Sequence, residues 1–472
     1  MFINNDQELF KHDPSSDYYN DECSKYKTEN GIDMTIYDRK NDYNINNLSL
    51  CEANCTFIGY NSSTSKAECQ CKTKSYFLSI DDLSQDNLLN KLDNEEKKTN
   101  LILMKCFNLI SSEESIKSNT GFYLIGIIII LFIIVMMLFC IKGYNSLENK
   151  IDEVIHIKFK KNEKSKSIIY HLKTQSRRPN KSNTKKQKHS LSSNSKNILM
   201  NKNNKSSRKK ISVLTRSNKE DKNKAYKNFI KSTNDYELNN LSFEMALLYD
   251  KRSFCEYYCS LIRTKQLVFF SFCDFNDYNS GIIKKFIFFL SFALHYTVNA
   301  LFFTDKTMHQ IYQDEGKYNI IYQMPFCTYS AIISTIILRI ILSTLVLTEK
   351  NVLEVKSQKS KNSAILKKKK VLKCIIIKYA IFSILNLMLL IVFWYYLTCF
   401  NALYENTQIN LIINSVISFT ISSIYPFLIN IVPAFFRNDI LYKRPIKKEK
   451  LKKNDLEDLK YIYKISKWLQ LL

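Results

Sequence analysis

Glycine and proline are scarce here, 7 and 6 in 472 residues. So few glycines leave little material for a phosphate-cradling loop, and no GxSxG, HExxH, Walker-type or GxGxxG pattern occurs. Six histidines and scattered acids form no metal-binding or acid/base constellation. Neither enzyme activity nor a metal or cofactor is therefore expected. Residues 1–15 (MFINNDQELFKHDPS) also lack the basic stretch followed by an apolar run that marks a signal peptide. Either a later apolar segment serves as its own signal, or the chain is a shortened form of something longer. Asn, Lys, Ile and Tyr are over-used, so Asn- and Lys-rich motifs arise easily by chance.

Long apolar runs, by contrast, are plentiful. Gly121–Ile141 (GFYLIGIIIILFIIVMMLFCI) contains no charge. At about 1.5 Å per residue it covers roughly 30 Å, the hydrocarbon thickness of a bilayer. It also has no polar face, which a soluble surface helix would need. Four more runs follow: Phe286–Phe303, Pro325–Leu347, Tyr379–Phe400 and Leu411–Phe436. The predicted fold class is an α-helical membrane protein with five transmembrane helices, a small disulfide-bonded ectodomain and a disordered basic cytoplasmic loop. Its parts are an ectodomain (1–120), a first span (121–141), a basic segment (142–240), a juxtamembrane segment (241–285), a four-helix region (286–436) and a basic tail (437–472).

Loop charge orients the spans. Residues 1–120 hold 13 Lys+Arg against 20 Asp+Glu, whereas 158–231 hold 24 against 3. The loop 304–324 is slightly acidic, 348–370 carries eight lysines against two acids, 401–410 has only Glu405, and 437–472 has 11 bases against 5 acids. Basic and non-basic segments alternate across all five spans. Because Lys and Arg stay cytoplasmic, the N-terminus is expected outside and the C-terminus inside; the expected location is the plasma membrane.

The six cysteines before the first span are Cys23, Cys51, Cys55, Cys69, Cys71 and Cys106. An even number in a segment assigned outside the cytosol reads as a disulfide set, with 15 possible connectivities. Between Cys51/Cys55 and Cys69/Cys71, Thr56–Ile58 with Tyr60 and Lys66–Cys69 suggest two strands around a polar Asn61–Thr64 turn. So short a hairpin needs bridges between the pairs. Zinc is the rival reading, but the spacing matches no common finger and no histidine lies nearby. Asn47, Asn54 and Asn61 sit in N-glycosylation acceptors. Asn47 and Asn61 are the expected sites, since Asn54 competes with Cys55 bridging.

Lys158–Lys231, net about +21, has few large apolar residues and reads as unfolded. It is expected to be a solvated tether or a contact for anionic lipid headgroups, at about 1 kcal/mol per base. No nucleic-acid module accompanies the charge, and protein partners are not legible. Residues 241–275 turn aromatic and read as an amphipathic helix at the inner interface. In 458–472, Leu459, Ile462, Ile465, Leu469 and Leu472 share a helical face opposite Lys460, Lys464 and Lys467, again suiting a membrane surface.

Polar groups inside spans are functional candidates by default. His295 and Asn299 lie four apart, hence on one face. Arg339 falls in the inner half of the third span and could snorkel or meet them, as could Asn386. Asn414 and Asn430, with Pro426 and Pro433, interrupt the last span. Nothing resembles a selectivity filter, a voltage sensor or an inverted repeat. A surface structural or interaction protein is the first reading, and a channel or transporter subunit the alternative.

Several segments carry a resemblance. Asp277-Tyr278-Asn279-Ser280, FALHYTVNALFFTDKTMHQIYQDEGKYNIIYQMP, LTEKNVLEVK, FWYYLTCFNALYENTQINLI and YPFLINIVPAFFR, with the Cys51–Cys71 module and first span, resemble a group of multi-pass membrane proteins of protists, notably ciliates. Members typically carry longer cysteine-rich, EGF-like or repeat-bearing ectodomains. The resemblance implies the architecture and no activity or site residue.

Overall fold

The computed structural model describes residues 10–13, 15–45, 51, 55–61, 66–71, 100–111, 113–175, 233–273, 275, 277–443 and 453–470. Its longer helices are α1 (Ile36–Ile45), α2 (Thr120–Leu138), α3 (Tyr144–Gln175), α4 (Phe254–Lys265), α5 (Gly281–Phe302), α6 (Asp305–Gln313), α7 (Ile320–Ile341), α8 (Glu349–Lys356), α9 (Lys361–Leu403), α10 (Gln408–Ile429), α11 (Ile431–Asn438) and α12 (Lys453–Leu469). One antiparallel hairpin joins β1 (Cys55–Asn61) to β2 (Lys66–Cys71).

Among the described residues, five helical stretches are long and apolar enough to cross a membrane: Thr120–Lys160, Gly281–Phe302, Ile320–Lys356, Lys361–Leu403 and Gln408–Leu441. Four of them contain their apolar run whole and the second contains all of its run but Phe303, and their ends differ from those of the runs. Hydropathy marks the apolar slice of a helix, whereas the helix itself continues wherever good helix formers such as lysine follow. Thus α9 begins at Lys361 and takes in Lys367–Lys370. The segment 142–240, expected without regular structure, is helical over α3. Leu147, Ile151, Ile155 and Phe159 recur every four residues and are buried there, and this stripe packs α3 on α8. Residues 176–232 lie outside the described residues.

The chain divides into two compact units. One comprises Met1–Ile141, Gly281–Leu347 and Lys378–Pro426, the other Lys142–Ser280, Thr348–Ile377 and Phe427–Leu472.

In the first unit, the N-terminal region is clamped onto the loops that follow α5 and α9. Asp33, buried, accepts hydrogen bonds from the backbone N–H of Asn406 and Thr407 and from Thr407 Oγ1, each at 2.9 Å. It thereby caps the start of α10 from a distant part of the chain, and its charge faces the positive end of the helix dipole. Burial pushes the Asp33 carboxyl above the usual range, although the bonds from Thr407 and Asn406 pull the other way. Glu405 receives Lys25 at 2.9 Å and Lys27 at 2.7 Å. His309 on α6 meets Asp38 at 2.5 Å, and Tyr312 donates to Asp42 at 3.2 Å. Asn100 donates to the Phe303 carbonyl at 2.7 Å. Beneath this clamp, buried Arg39 donates to the Tyr18 carbonyl at 2.6 Å and lies 4.8 Å from the Tyr26 ring. Gly121 sits where a Cβ would come within 2.8 Å of the Leu397 carbonyl oxygen, so only glycine lets α2 approach α9 this closely.

The second unit centres on buried charge. Asp250 accepts Arg252 Nε and Nη2 at 2.9 Å and pairs with Arg437 at 2.6 Å, while Tyr257 lies against both guanidiniums. Burial would raise the Asp250 carboxyl, but the two arginines outweigh it and hold it below the usual range. The segment 241–275 is broken into Phe243–Tyr249, α4 and Leu267–Phe272 rather than forming one amphipathic helix. Ser253 and Glu256 form a capping box that starts α4. The tail helix α12 forms, but Leu459, Tyr463 and Ile462 pack against Phe243, Ala246, Ile440 and Leu441. Ile465, expected on that face, is exposed with Tyr461 and Trp468. Tyr463 wins the inward position because its hydroxyl reaches the Leu241 carbonyl at 3.1 Å, the usual requirement for burying a tyrosine.

Candidate functional site

All six N-terminal cysteines pair: Cys23 with Cys106, Cys51 with Cys69, and Cys55 with Cys71. The last two bridges join the two ends of the hairpin, where Cys55 faces Cys71 and Phe57 faces Cys69, before an irregularity between Phe57 and Gly59. Among the described residues no group of His, Cys, Asp or Glu could hold a metal ion. The glycosylation candidate Asn47 lies outside the described residues, as does Asn54. Asn61 ends β1.

The polar residues expected inside the spans divide. His295 and Asn299 are fully buried on one face of α5. His295 Nδ1 contacts the Ser291 carbonyl at 2.7 Å, which puts the proton on Nδ1 and leaves Nε2 a bare lone pair. Its ring stands edge-on to Phe419 of α10, with centroids 5.5 Å apart. Asn299 donates to the His295 carbonyl and to Ser418 Oγ of α10, both at 2.7 Å. One turn further along α10, Asn414 donates to Gln323 of α7 at 2.9 Å and accepts from Tyr318 at 2.5 Å. These residues make a polar seam between α5, α7 and α10. Arg339 is not part of it. It is exposed, on the opposite side of α7 from the buried Ser330, Ser334 and Leu338. Asn386 turns back to the Phe382 carbonyl of its own helix at 2.8 Å.

Sequence reasoning missed Ser330, Ser334, Ser418 and Gln323. Serine is unremarkable in hydropathy, yet Gln323, Cys327, Ser330 and Ser334 recur at helical spacing on one face of α7, which was the available signal. Some helical hydroxyls of the bundle bond back to their own helix, as Thr297 does to Ala293 at 2.9 Å and Ser415 to Leu411 at 2.7 Å, whereas Ser423 Oγ and Tyr396 Oη find no partner. In the seam five polar atoms find no such partner: His295 Nε2, Asn299 Oδ1, and Oγ of Ser291, Ser330 and Ser334. Leaving a buried polar atom unsatisfied costs about 1–3 kcal/mol.

Comparison with known protein families, curated proteins and solved structures returns no match.

Proposed function

We propose that this is a non-enzymatic surface membrane protein, whose five spans carry the N-terminal region outside the cell as a fixed, disulfide-braced platform for structural or interaction roles. One observation carries the reading. The N-terminal region is clamped to the loops after α5 and α9 by Asp33, Lys25, Lys27, Asp38 and Asn100. A region built to swing on a tether would not invest buried polar contacts in those loops, whereas a region built to present a surface would. Oxidised cysteines agree with an extracellular place. The likeness to ciliate-type membrane proteins belongs to the same proposal, as do plasma-membrane location and contact of the basic segments with anionic headgroups. The seam around His295 favours the alternative, a channel or transporter subunit. Expression in cells with low background conductance, with surface biotinylation to verify delivery, separates the two. Labelled N-terminal lysines and no added conductance are expected. A conductance that His295→Phe abolishes at equal surface level would sink the platform reading in favour of transport.

A further inference from the structure

We infer that the exposed face of α9 formed by Lys369, Lys370 and Lys373 binds a phospholipid headgroup bearing two or more phosphates, at the level where that face turns apolar. In the sequence Lys367–Lys370 is one block of charge, and packing divides it. Lys367 pairs with Glu354 of α8 at 2.7 Å. Lys368 reaches Glu148 at 2.8 Å and Asp152 at 2.7 Å, both on α3. These three carboxylates are committed to the flanks of α9 that meet α8 and α3. Lys369, Lys370 and Lys373 are exposed, and none pairs with a carboxylate among the described residues. The next lysine along, Lys378, turns instead to the Leu347 carbonyl at 3.0 Å.

Helix geometry makes the three lysines one patch. At 3.6 residues per turn they fall within roughly 100° of one another, on the side of α9 opposite the buried Val371, Leu372 and Ile375. Lys369 and Lys370 stand four and three residues before Lys373, which sets neighbouring Cβ atoms about 5–6 Å apart, where like charges repel. An anion placed over them removes that repulsion. Lys350, exposed on α8 one turn before Glu354, borders the same face. Within a turn of Lys373 the exposed side becomes apolar at Ile376 and Ile377, 45% and 60% exposed.

Charge and apolar surface together select the occupant. Three ammonium groups lie within about 6 Å of helix rise. A headgroup with a single net negative charge meets one of them at a time, whereas one with two or more phosphates meets all three. Lysine suits such a ligand, because its compact charge contacts phosphate oxygens without the fixed geometry that a guanidinium imposes. A free phosphate compound would leave Ile376 and Ile377 in water. The glycerol and acyl chains of a lipid cover them, and bases just beyond an apolar span stand at headgroup level. A lipid therefore satisfies both halves of the face.

The inference rests on the membrane reading and names the lysines and the headgroup behind the contact proposed there. Its test is equilibrium binding of short-chain fluorescent lipids to the full chain in detergent micelles. The probes are a bisphosphorylated inositol lipid, phosphatidylserine, and the soluble bisphosphorylated headgroup as competitor. The variant Lys369→Gln/Lys370→Gln/Lys373→Gln is expected to weaken the inositol lipid about fivefold per lysine, on the order of a hundredfold in all. Lys367→Gln/Lys368→Gln, which removes two lysines of the same quartet, is expected to change it less than threefold. Equal losses per lysine in the two variants would reduce the patch to bulk charge and overturn the site. Phosphatidylserine binding as tightly as the inositol lipid, or the free headgroup competing as well as the lipid, overturns the assigned ligand. If the Lys368 change prevents folding, Lys367→Gln against Lys370→Gln decides, with the same expected contrast. Retention of the chain in membranes after alkaline carbonate extraction reports the membrane reading by itself, so its failure and the failure of the site are distinguishable.

Discussion

Single carboxylates in the N-terminal clamp respond to acid in opposite directions. Burial would raise the Glu405 carboxyl, but hydrogen bonds from Lys27 and Lys25 outweigh it and hold it below its usual value. Its contribution is present above about pH 4.5 and is lost as pH falls through the lowered folded value. Asp33 is raised by burial, so its contribution runs the other way. Folding is favoured on the acid side and loses ground as pH rises through that raised value. Protease protection of the N-terminal region should therefore hold or improve slightly as pH falls from neutral toward 4.5, and collapse below it. Glu405→Gln should flatten the acid limb and lower protection at neutral pH. Protection that declines steadily from pH 7 downward in both proteins would show that the clamp is not held by these groups.

At the scale of elements, close backbone approach outweighs propensity at Gly121. The residue lies in the first turn of α2, where alanine is intrinsically the better helix former. A Cβ there would come within 2.5 Å of Asn401 Nδ2 and 2.8 Å of the Leu397 carbonyl oxygen. The amide could move, but the carbonyl belongs to a continuous helix and cannot. Gly121→Ala should destabilise by about 1–3 kcal/mol, the usual range for overpacking, despite its helical advantage. Thermal unfolding in detergent micelles measures this, with Gly126→Ala as control, since a Cβ there meets nothing nearer than 3.9 Å. Stabilisation at position 121 would mean that the two helices are not in contact as described. The hairpin is the opposite kind of element. Its two strands were readable from Thr56–Ile58 with Tyr60 and Lys66–Cys69 around a polar turn, and the bridges join the cysteine pairs as short-strand energetics required.

At the scale of the whole molecule, the charge pattern makes the sharpest demand. With all five helices crossing a membrane, the two ends lie on opposite faces, and the charge rule then requires Lys367–Lys370 to share the side of the tail. Protease treatment of sealed vesicles, with tags at residue 10, in the 304–324 loop and at the C-terminus, should cleave the first two and spare the third. A protected middle tag would remove α5 from the spanning set. α5 is the segment where this matters most: it is the most buried of the five and the least apolar.

Local sequence determined the existence of the five apolar helices and the closing of the cysteine hairpin. Apolar runs of about twenty residues suit a bilayer only as helices, whereas which of the 15 cysteine connectivities forms was decided by the fold. The α3 stripe at Leu147, Ile151, Ile155 and Phe159 was legible too, but lysine-rich composition masked it. Tertiary structure alone decided what polar groups inside and beside the helices do. Asp33 reads as one of many surface acids until Thr407, far along the chain, turns it into a helix cap. Arg339 and His295 look equally anomalous in sequence, yet one is exposed on its helix and the other is buried with a bare nitrogen. Hydropathy records how costly a group is to bury, whereas its role depends on the partner that packing brings to it, and that partner comes from another part of the chain.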